Sequence, residues 1–183
     1  MGEPVWPAAR ALGCWLQQRP ETVAGRRVLE LGAGCGAPGI LAAIAGASEV
    51  ILTDGDASLI GLMQRNTELN AERVGCTVSA RRFDWRADDV DDVRASIDVL
   101  LAADVLFAHG DIQPLARACA AMLRVQKTSR LLLARSSFFE ELQPTLVAAC
   151  EEAGLRQLPA REPGGARGGQ SDATVLEFAW AKF

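Results

Sequence analysis

The amino-acid sequence predicts an α/β fold built on a doubly wound, mostly parallel sheet. Short apolar runs alternate with helical patterns along the 183 residues, which is typical of parallel strands joined by helical crossovers. The first apolar run leads into a glycine-rich loop, GAGCGAPG at 32–39, and this order is typical of nucleotide-cofactor sites. In this fold class, ligands bind beyond the carboxyl ends of the strands.

The predicted elements follow in order along the chain. Apolar residues recur at helical spacing over Pro7–Gln18, which predicts a first helix, and Val28–Leu31 reads as a buried strand. Pro38 favours the first turn of the next helix, which Gly46 ends. The remaining predicted elements are strands at 49–54 and 76–83, a helix from a capping Asp56 to about Arg73, a short surface helix at 88–94, a buried strand at 97–104, a helix from Asp111 to about Arg124, a strand at 130–135, a helix at 138–153, a loop at 162–170 and an antiparallel strand at 174–183.

Composition limits the classes of protein that fit. Hydrophobic residues make up 49% of the chain and the formal net charge is −4, so a sizeable core is expected and the basic character of a nucleic-acid binder is missing. The five cysteines form no C-x-x-C pair and the chain has one histidine, so no zinc site is expected. No apolar run reaches the ~20 residues that span a bilayer, and no secretory signal is recognisable.

Acidic side chains stand at the predicted carboxyl ends of four strands. Glu30 lies in the first strand, Asp54 ends the second and Asp104 ends the fourth. Asp84, followed by Trp85, comes directly after the third. Because parallel strands end at one edge of a sheet, we expect the four carboxylates on one rim. Glu30 is the most informative, because an acid inside a buried strand is costly unless a partner compensates it.

The charge around the glycine loop distinguishes between two cofactors. The segment GAGCGA at 32–37 matches the dinucleotide pattern, and Asp54 lies where a ribose-binding acid belongs. No Lys or Arg occurs from Val28 through Gln64, so nothing there would neutralise a pyrophosphate. S-adenosylmethionine (SAM) carries a net positive charge, which an acidic rim without a nearby base favours, and its carboxylate can lie at the helix start after Gly36. We therefore expect SAM, with a dinucleotide oxidoreductase as the less favoured alternative.

Simpler structural roles are also open for several of these residues. Asp54 and Asp104 can cap the segments that follow them, and Asp84 can be a turn residue. Trp6 and Trp85 can be packing aromatics. None of these roles needs a ligand, so the residues alone leave both interpretations open.

Five segments carry a resemblance to a known family: VWPAARALGCWL, VLELGAGCGAPGI, VILTDGD, FDW and AADVLF. Through these motifs the chain resembles class I, seven-β-strand SAM-dependent methyltransferases, and more narrowly the protein-lysine methyltransferase family. The similarity covers nearly the whole chain. It implies a Rossmann-like, doubly wound, seven-stranded sheet that is mostly parallel and has an antiparallel last strand.

The resemblance also implies roles for individual residues. Asp104 and Phe107 match the family's Asp-x-x-Tyr/Phe pattern beside the methyl group and the incoming amine, so they are the implied catalytic residues. Most members have Tyr where this chain has Phe107, so any role of that hydroxyl is missing here. The implied cofactor-binding residues are Glu30, Gly32, Gly34 and Gly36 at the methionine moiety, Asp54 at the ribose, Asp84 and Trp85 at the adenine, Trp6 over the cofactor, and Ala103.

The activity implied by the resemblance is methyl transfer to a lysine side-chain amine of a protein. Two alternatives stay open: an arginine or a small molecule as acceptor, and a non-catalytic partner subunit that keeps the fold. We expect one domain over 1–183, with residues 1–24 forming a helix that covers the cofactor site. We also expect a monomer in the cytoplasm, with the nucleus as a second location, that binds neither membranes nor nucleic acid.

Overall fold

The computed structural model describes residues 5–160 and 173–183, and within them seven strands form one sheet. The strands are β1 (Arg27–Leu31), β2 (Glu49–Asp54), β3 (Thr77–Arg82), β4 (Val99–Ala103), β5 (Arg130–Ser136), β6 (Leu155–Gln157) and β7 (Ala173–Trp180). The helices are α1 (Pro7–Gln18), α2 (Ala37–Ile44), α3 (Ile60–Leu69), α4 (Ile112–Met122) and α5 (Gln143–Glu152).

The strand order is β3-β2-β1-β4-β5-β7-β6. Strands β1 to β5 pair in parallel, whereas β7 lies antiparallel between β5 and β6. The chain winds outward from β1 in one direction and then from β4 in the other, so the order reverses between these neighbours. This reversal opens a crevice beyond their carboxyl ends. The predicted fold class, including the antiparallel last strand, is confirmed.

Helices cover both faces of the sheet, and consecutive strand residues supply the two hydrophobic clusters between the layers. Val28 packs in the cluster under α1, α2 and α3, whereas the next residue, Leu29, packs in the cluster under α4 and α5. Both side chains are fully buried. Burial of each such side chain contributes roughly 1.5–3 kcal/mol. Two buried faces explain why the parallel strands read as nearly continuous apolar runs rather than as alternating ones.

Several predicted helices differ from the observed ones. Asp56 caps a short 3-10 turn, Ala57–Leu59, and α3 follows this turn and ends at Leu69. The expected helix at 138–153 begins only at Gln143, after another 3-10 turn.

The surface helix predicted at 88–94 is wrong, since these residues form turns. Oδ1 of Asp89 accepts a 3.0 Å hydrogen bond from the backbone N–H of Asp91, and Arg94 pairs with Asp91 at 2.8 Å. Aspartate side chains that bond the local backbone compete with helix formation. Strand β6 was not recognised, because it has three residues and two of them are exposed. The predicted loop at 162–170 lies outside the described residues.

Candidate active site

A cavity of about 400 Å³ lies at the carboxyl ends of β1, β2 and β4. Its volume is within the range of pockets that hold cofactor-sized ligands. The position agrees with the crevice expected where the strand order reverses. Ten of the eleven predicted site residues line it: Trp6, Glu30, Gly32, Gly34, Asp54, Asp84, Trp85, Ala103, Asp104 and Phe107.

Asp54 holds the glycine loop in place. Its Oδ2 accepts a 2.9 Å hydrogen bond from the backbone N–H of Gly34, and its Oδ1 accepts one of 3.0 Å from that of Asp56. Gly34 has a φ of 54°, and a Cβ built there would meet no atom within 4 Å. The left-handed backbone therefore favours glycine at this position, and the loop presents bare backbone to the cavity.

Gly36 is the predicted residue that does not line the cavity. It starts α2 with a φ of 80°, and a Cβ there would lie 2.9 Å from Cδ1 of Leu52. Backbone conformation and close packing therefore favour glycine at this position. Its contact with a cofactor stays a prediction.

Glu30 is buried with a partner from α2. It is 2% exposed, and its Oε2 accepts a 2.8 Å hydrogen bond from the backbone N–H of Gly39 in the first turn of that helix. Burial raises the pKa of Glu30 to about 8, the bond from Gly39 opposes this shift, and the nearby Asp54 adds to it. Glu30 can therefore change its charge near neutral pH at the wall of the cavity.

Asp104 presents one carboxylate oxygen that has no hydrogen-bond partner among the described residues. The residue is 6% exposed, and its backbone adopts a left-handed φ of 50°. Oδ1 accepts a 2.7 Å hydrogen bond from the backbone N–H of Ser136, whereas Oδ2 is the unpartnered atom. A buried carboxylate oxygen without a donor is costly. Asp104 lines the cavity, so an amine that reached this buried atom would supply that donor.

Two aromatic rings stand together at the cavity. Trp6, just before α1, and Phe107, after β4, have ring centroids 6.4 Å apart and planes at 79°, an edge-to-face arrangement. The residues are 42% and 67% exposed, although both are large and apolar. Exposed aromatics beside a cavity are typical of ligand-contacting walls.

Arg86 is a site residue that sequence reasoning missed, and it corrects the expectation of a rim without a base. It lines the cavity together with Asp111. Its Nε donates to Oδ1 of Asp84 at 3.0 Å, and its Nη1 donates to Oδ1 of Asp111 at 3.4 Å. The stretch without Lys or Arg, Val28 through Gln64, surrounds only the glycine loop, whereas Arg86 reaches the rim from the segment after β3.

The overall charge of the cavity still fits SAM. Among the described residues of the lining, Arg86 is the single basic one, against six acidic ones: Glu30, Asp54, Asp56, Asp84, Asp104 and Asp111. Burial favours the protonated form of Glu30 at neutral pH, but the five aspartates still outnumber Arg86. This excess of carboxylates attracts a ligand with a net positive charge and repels a pyrophosphate. The described residues contain no cluster of His, Cys, Asp and Glu that could hold a metal ion. None of the described helices is long and apolar enough to span a membrane.

The strand order and the position of the cavity are those of the class I SAM-dependent methyltransferase fold. A TehB-like SAM-dependent methyltransferase from Corynebacterium glutamicum superposes with a TM-score of 0.70 at 18% identity, over 98% of this chain and 90% of that one. Magnesium protoporphyrin IX methyltransferase from Synechocystis, solved with bound SAM, superposes with a TM-score of 0.67 at 16% identity, over 92% and 76%. The sequence profile of the lysine methyltransferase family matches residues 1–143. The chain therefore belongs to the lysine methyltransferase family.

Protein methyltransferases from other organisms match parts of the chain. Calmodulin-lysine N-methyltransferase from Arabidopsis thaliana is 33% identical over 129 residues, which is 69% of this chain and 42% of that protein. Protein N-terminal and lysine N-methyltransferase EFM7 from Gibberella zeae is 32% identical over 142 residues, 68% of this chain and 54% of that one. The chain thus spans about half the length of these relatives.

Proposed function

We propose that this protein is a SAM-dependent protein-lysine N-methyltransferase. The observation that carries the proposal is the buried, unpartnered Oδ2 of Asp104, a residue that lines a strongly acidic cavity. Membership of the lysine methyltransferase family supports it. The names of the relatives support a protein as the acceptor, because they act on calmodulin, on protein N termini and, in a zebrafish relative, on the electron transfer flavoprotein beta subunit.

The cofactor would be held by residues from three strand ends, those of β1, β2 and β3. The bare backbone at Gly32 and Gly34 would lie against the methionine moiety of SAM, and Glu30 would line the same part of the cavity. Asp54 would accept hydrogen bonds from the ribose hydroxyls. Asp84 and Trp85 would border the adenine. Bound SAM supplies an electrophilic methyl group on a positively charged sulphur.

The side chains of this protein would position the acceptor. Oδ2 of Asp104 accepts a hydrogen bond from the incoming amine, and this bond directs the lone pair of the amine nitrogen into the cavity. The bond from the backbone N–H of Ser136 keeps the carboxylate from turning. Phe107 and Trp6 exclude water from the amine. Positioning of this kind accounts for a large share of the acceleration in reactions that need little acid–base chemistry. The proton of an ammonium group leaves to bulk water before the attack.

The direct test incubates the purified protein with methyl-labelled SAM and a cell lysate and follows the label. Incorporation into proteins, mapped to lysine by mass spectrometry, is expected. Label in arginine or in the small-molecule fraction would contradict the acceptor class. Absence of SAM binding by calorimetry would point instead to a partner subunit without catalytic activity. Separation of cytoplasm from nuclei, followed by detection of this protein in each fraction, tests the expected cytoplasmic and nuclear location.

The variant that tests Asp104 is Asp104→Asn, because Asn also tolerates a left-handed backbone. Its amide can still accept the bond from Ser136, yet the carboxylate charge that faces the amine is lost. We expect SAM affinity close to wild type and methyl transfer reduced by at least about a hundredfold, in line with the loss of a positioned polar group. Unchanged transfer in this variant would exclude Asp104 from the mechanism.

A further inference from the structure

Arg86 joins two acidic residues that come from different parts of the chain. Asp84 follows β3, whereas Asp111 directly precedes α4. Arg86 donates to Asp84 from its backbone N–H and from Nε, both at 3.0 Å, and to Asp111 from Nη1 at 3.4 Å. Its guanidinium also stands 5.9 Å from the centroid of the Trp85 ring. All four residues line the cavity.

The guanidinium changes the local charge at this end of the cavity. Without Arg86, Asp84 and Asp111 would contribute two negative charges to the wall, and with it they contribute one. The hydrogen bonds and charge of Arg86 lower the pKa of Asp84, so that carboxylate stays ionised. Arg86 is 54% exposed in its side chain, so its field is partly screened by solvent and salt.

The two forms of the cofactor differ by one charge. SAM carries a sulfonium, an ammonium and a carboxylate, whereas its demethylated product, S-adenosylhomocysteine (SAH), lacks the sulfonium charge and is neutral overall. A charge in the cavity wall therefore changes the affinities for SAM and SAH by different factors. A hydrogen bond that only maintains the shape of the wall changes both affinities by the same factor.

We propose that Arg86 sets the relative affinity of the cavity for SAM and SAH, by offsetting the carboxylates that attract the sulfonium form. The inference rests on the proposed function. Because Arg86 opposes the binding of a cation, it lowers the preference for SAM and leaves SAH a stronger competitor. Arg86 is thus a residue that determines specificity between donor and product.

Three variants of the whole chain separate charge from shape. Arg86→Gln removes the charge and the bridge, and Arg86→Lys keeps the charge but cannot form the same bidentate bridge. Arg94→Gln is the matched control, because the Arg94 side chain is also 54% exposed and pairs with two aspartates, Asp89 and Asp91, but does not line the cavity. Calorimetry measures the Kd of each variant for SAM and for SAH without any turnover.

We expect Arg86→Gln to shift the ratio of the SAH Kd to the SAM Kd in favour of SAM by about twofold to tenfold, as one charge at ~10 Å allows. The shift should shrink in ~1 M salt, where the Debye length falls to ~3 Å. Arg86→Lys should keep the wild-type ratio even if both affinities fall together, and Arg94→Gln should change neither. An unchanged ratio in Arg86→Gln, or an equal shift in Arg94→Gln, would overturn the inference. A wild-type protein that binds neither ligand would instead overturn the proposed function.

Discussion

The backbone N–H of Ser136, which ends β5, donates a 2.7 Å hydrogen bond to Oδ1 of Asp104, directly after the neighbouring strand β4. Both residues are almost fully buried, at 2% and 6% exposure. The donor is a main-chain group of β5, which the sheet holds in place, so the bond fixes the orientation of the Asp104 carboxylate. The acceptor oxygen that we assign to the methyl-accepting amine is therefore positioned by the fold itself rather than by a second mobile side chain.

Ser136→Ala should leave this arrangement intact. The hydroxyl of Ser136 is buried and has no hydrogen-bond partner among the described residues, so its loss removes a desolvated polar group while the N–H remains. We expect the free energy of unfolding to stay the same or to rise by up to ~1 kcal/mol, as measured by urea denaturation. A loss of stability, or weaker SAM binding by calorimetry, would mean that the hydroxyl has a partner in solution.

Glu30→Gln should change how stability depends on pH. The pKa of Glu30 in the folded protein is about 8, above its ordinary value of 4.5, so between these values the folded state holds a proton that the unfolded chain releases. The stabilising contribution is complete below pH 4.5 and is lost as pH rises to about 8, with a slope of at most ~1.4 kcal/mol per pH unit.

Gln mimics the protonated acid, so the free energy of unfolding of Glu30→Gln should not fall with pH in this way. Denaturation curves collected at several pH values from 5 to 9 measure this dependence. Glu72→Gln, at an exposed position, should keep the wild-type slope. The interpretation of Glu30 as a protonated acid would fail if both variants behaved alike.

Gly39→Ala should destabilise the protein, although alanine is the better helix former. A Cβ at Gly39 would lie 2.3 Å from Cδ2 of Leu52 and 2.7 Å from Oε2 of Glu30. Overpacking of this kind costs about 1–3 kcal/mol, measured by chemical or thermal denaturation. Gly61 in α3 is the control, since its Cβ would meet no atom within 4 Å. Gly61→Ala should instead stabilise by up to ~1 kcal/mol, and equal effects at the two positions would contradict the packing of α2 against β2.

Phe107→Ala should reduce methyl transfer with little effect on folding. The side chain is 67% exposed, and its edge-to-face pair with Trp6 is worth about 0.5–1.5 kcal/mol. We expect kcat/KM for the acceptor to fall about tenfold or more through lost positioning, with unchanged SAM affinity. Leu69→Ala removes another exposed apolar side chain, on α3, and should leave turnover as in wild type.

The sequence predicted most of the sheet and most of the cavity because both follow from local signals. Strand β2 was predicted with its observed bounds, since buried apolar runs flanked by turns are clear, and Asp54 at its end lines the cavity. Helix α1 was likewise predicted with its observed bounds. Once the fold class was known, the carboxyl ends of the strands indicated where the other carboxylates would converge.

The features that the sequence did not predict depend on specific side-chain contacts, some local and some between distant segments. Arg86 reaches the rim because Asp111, far along the chain, is brought beside it. The turns at 88–94 form because aspartates bond neighbouring backbone and arginine groups, which hydrophobic periodicity does not report. Gly39 was read as part of the loop motif, yet its close packing against Leu52 is visible only in three dimensions.

Helix α1 packs against β5 and β7, and it brings Trp6 and Ala9 to the cavity wall. Helix α1, near the start of the sequence, thus packs against two strands, β5 and β7, that are synthesised much later. As a nascent chain grows from its N terminus, α1 and α2 can pack together before β5 and β7, which complete the support of α1, have been synthesised. We therefore expect the wall that α1 contributes to the cavity to be complete only after β7 has paired with β5.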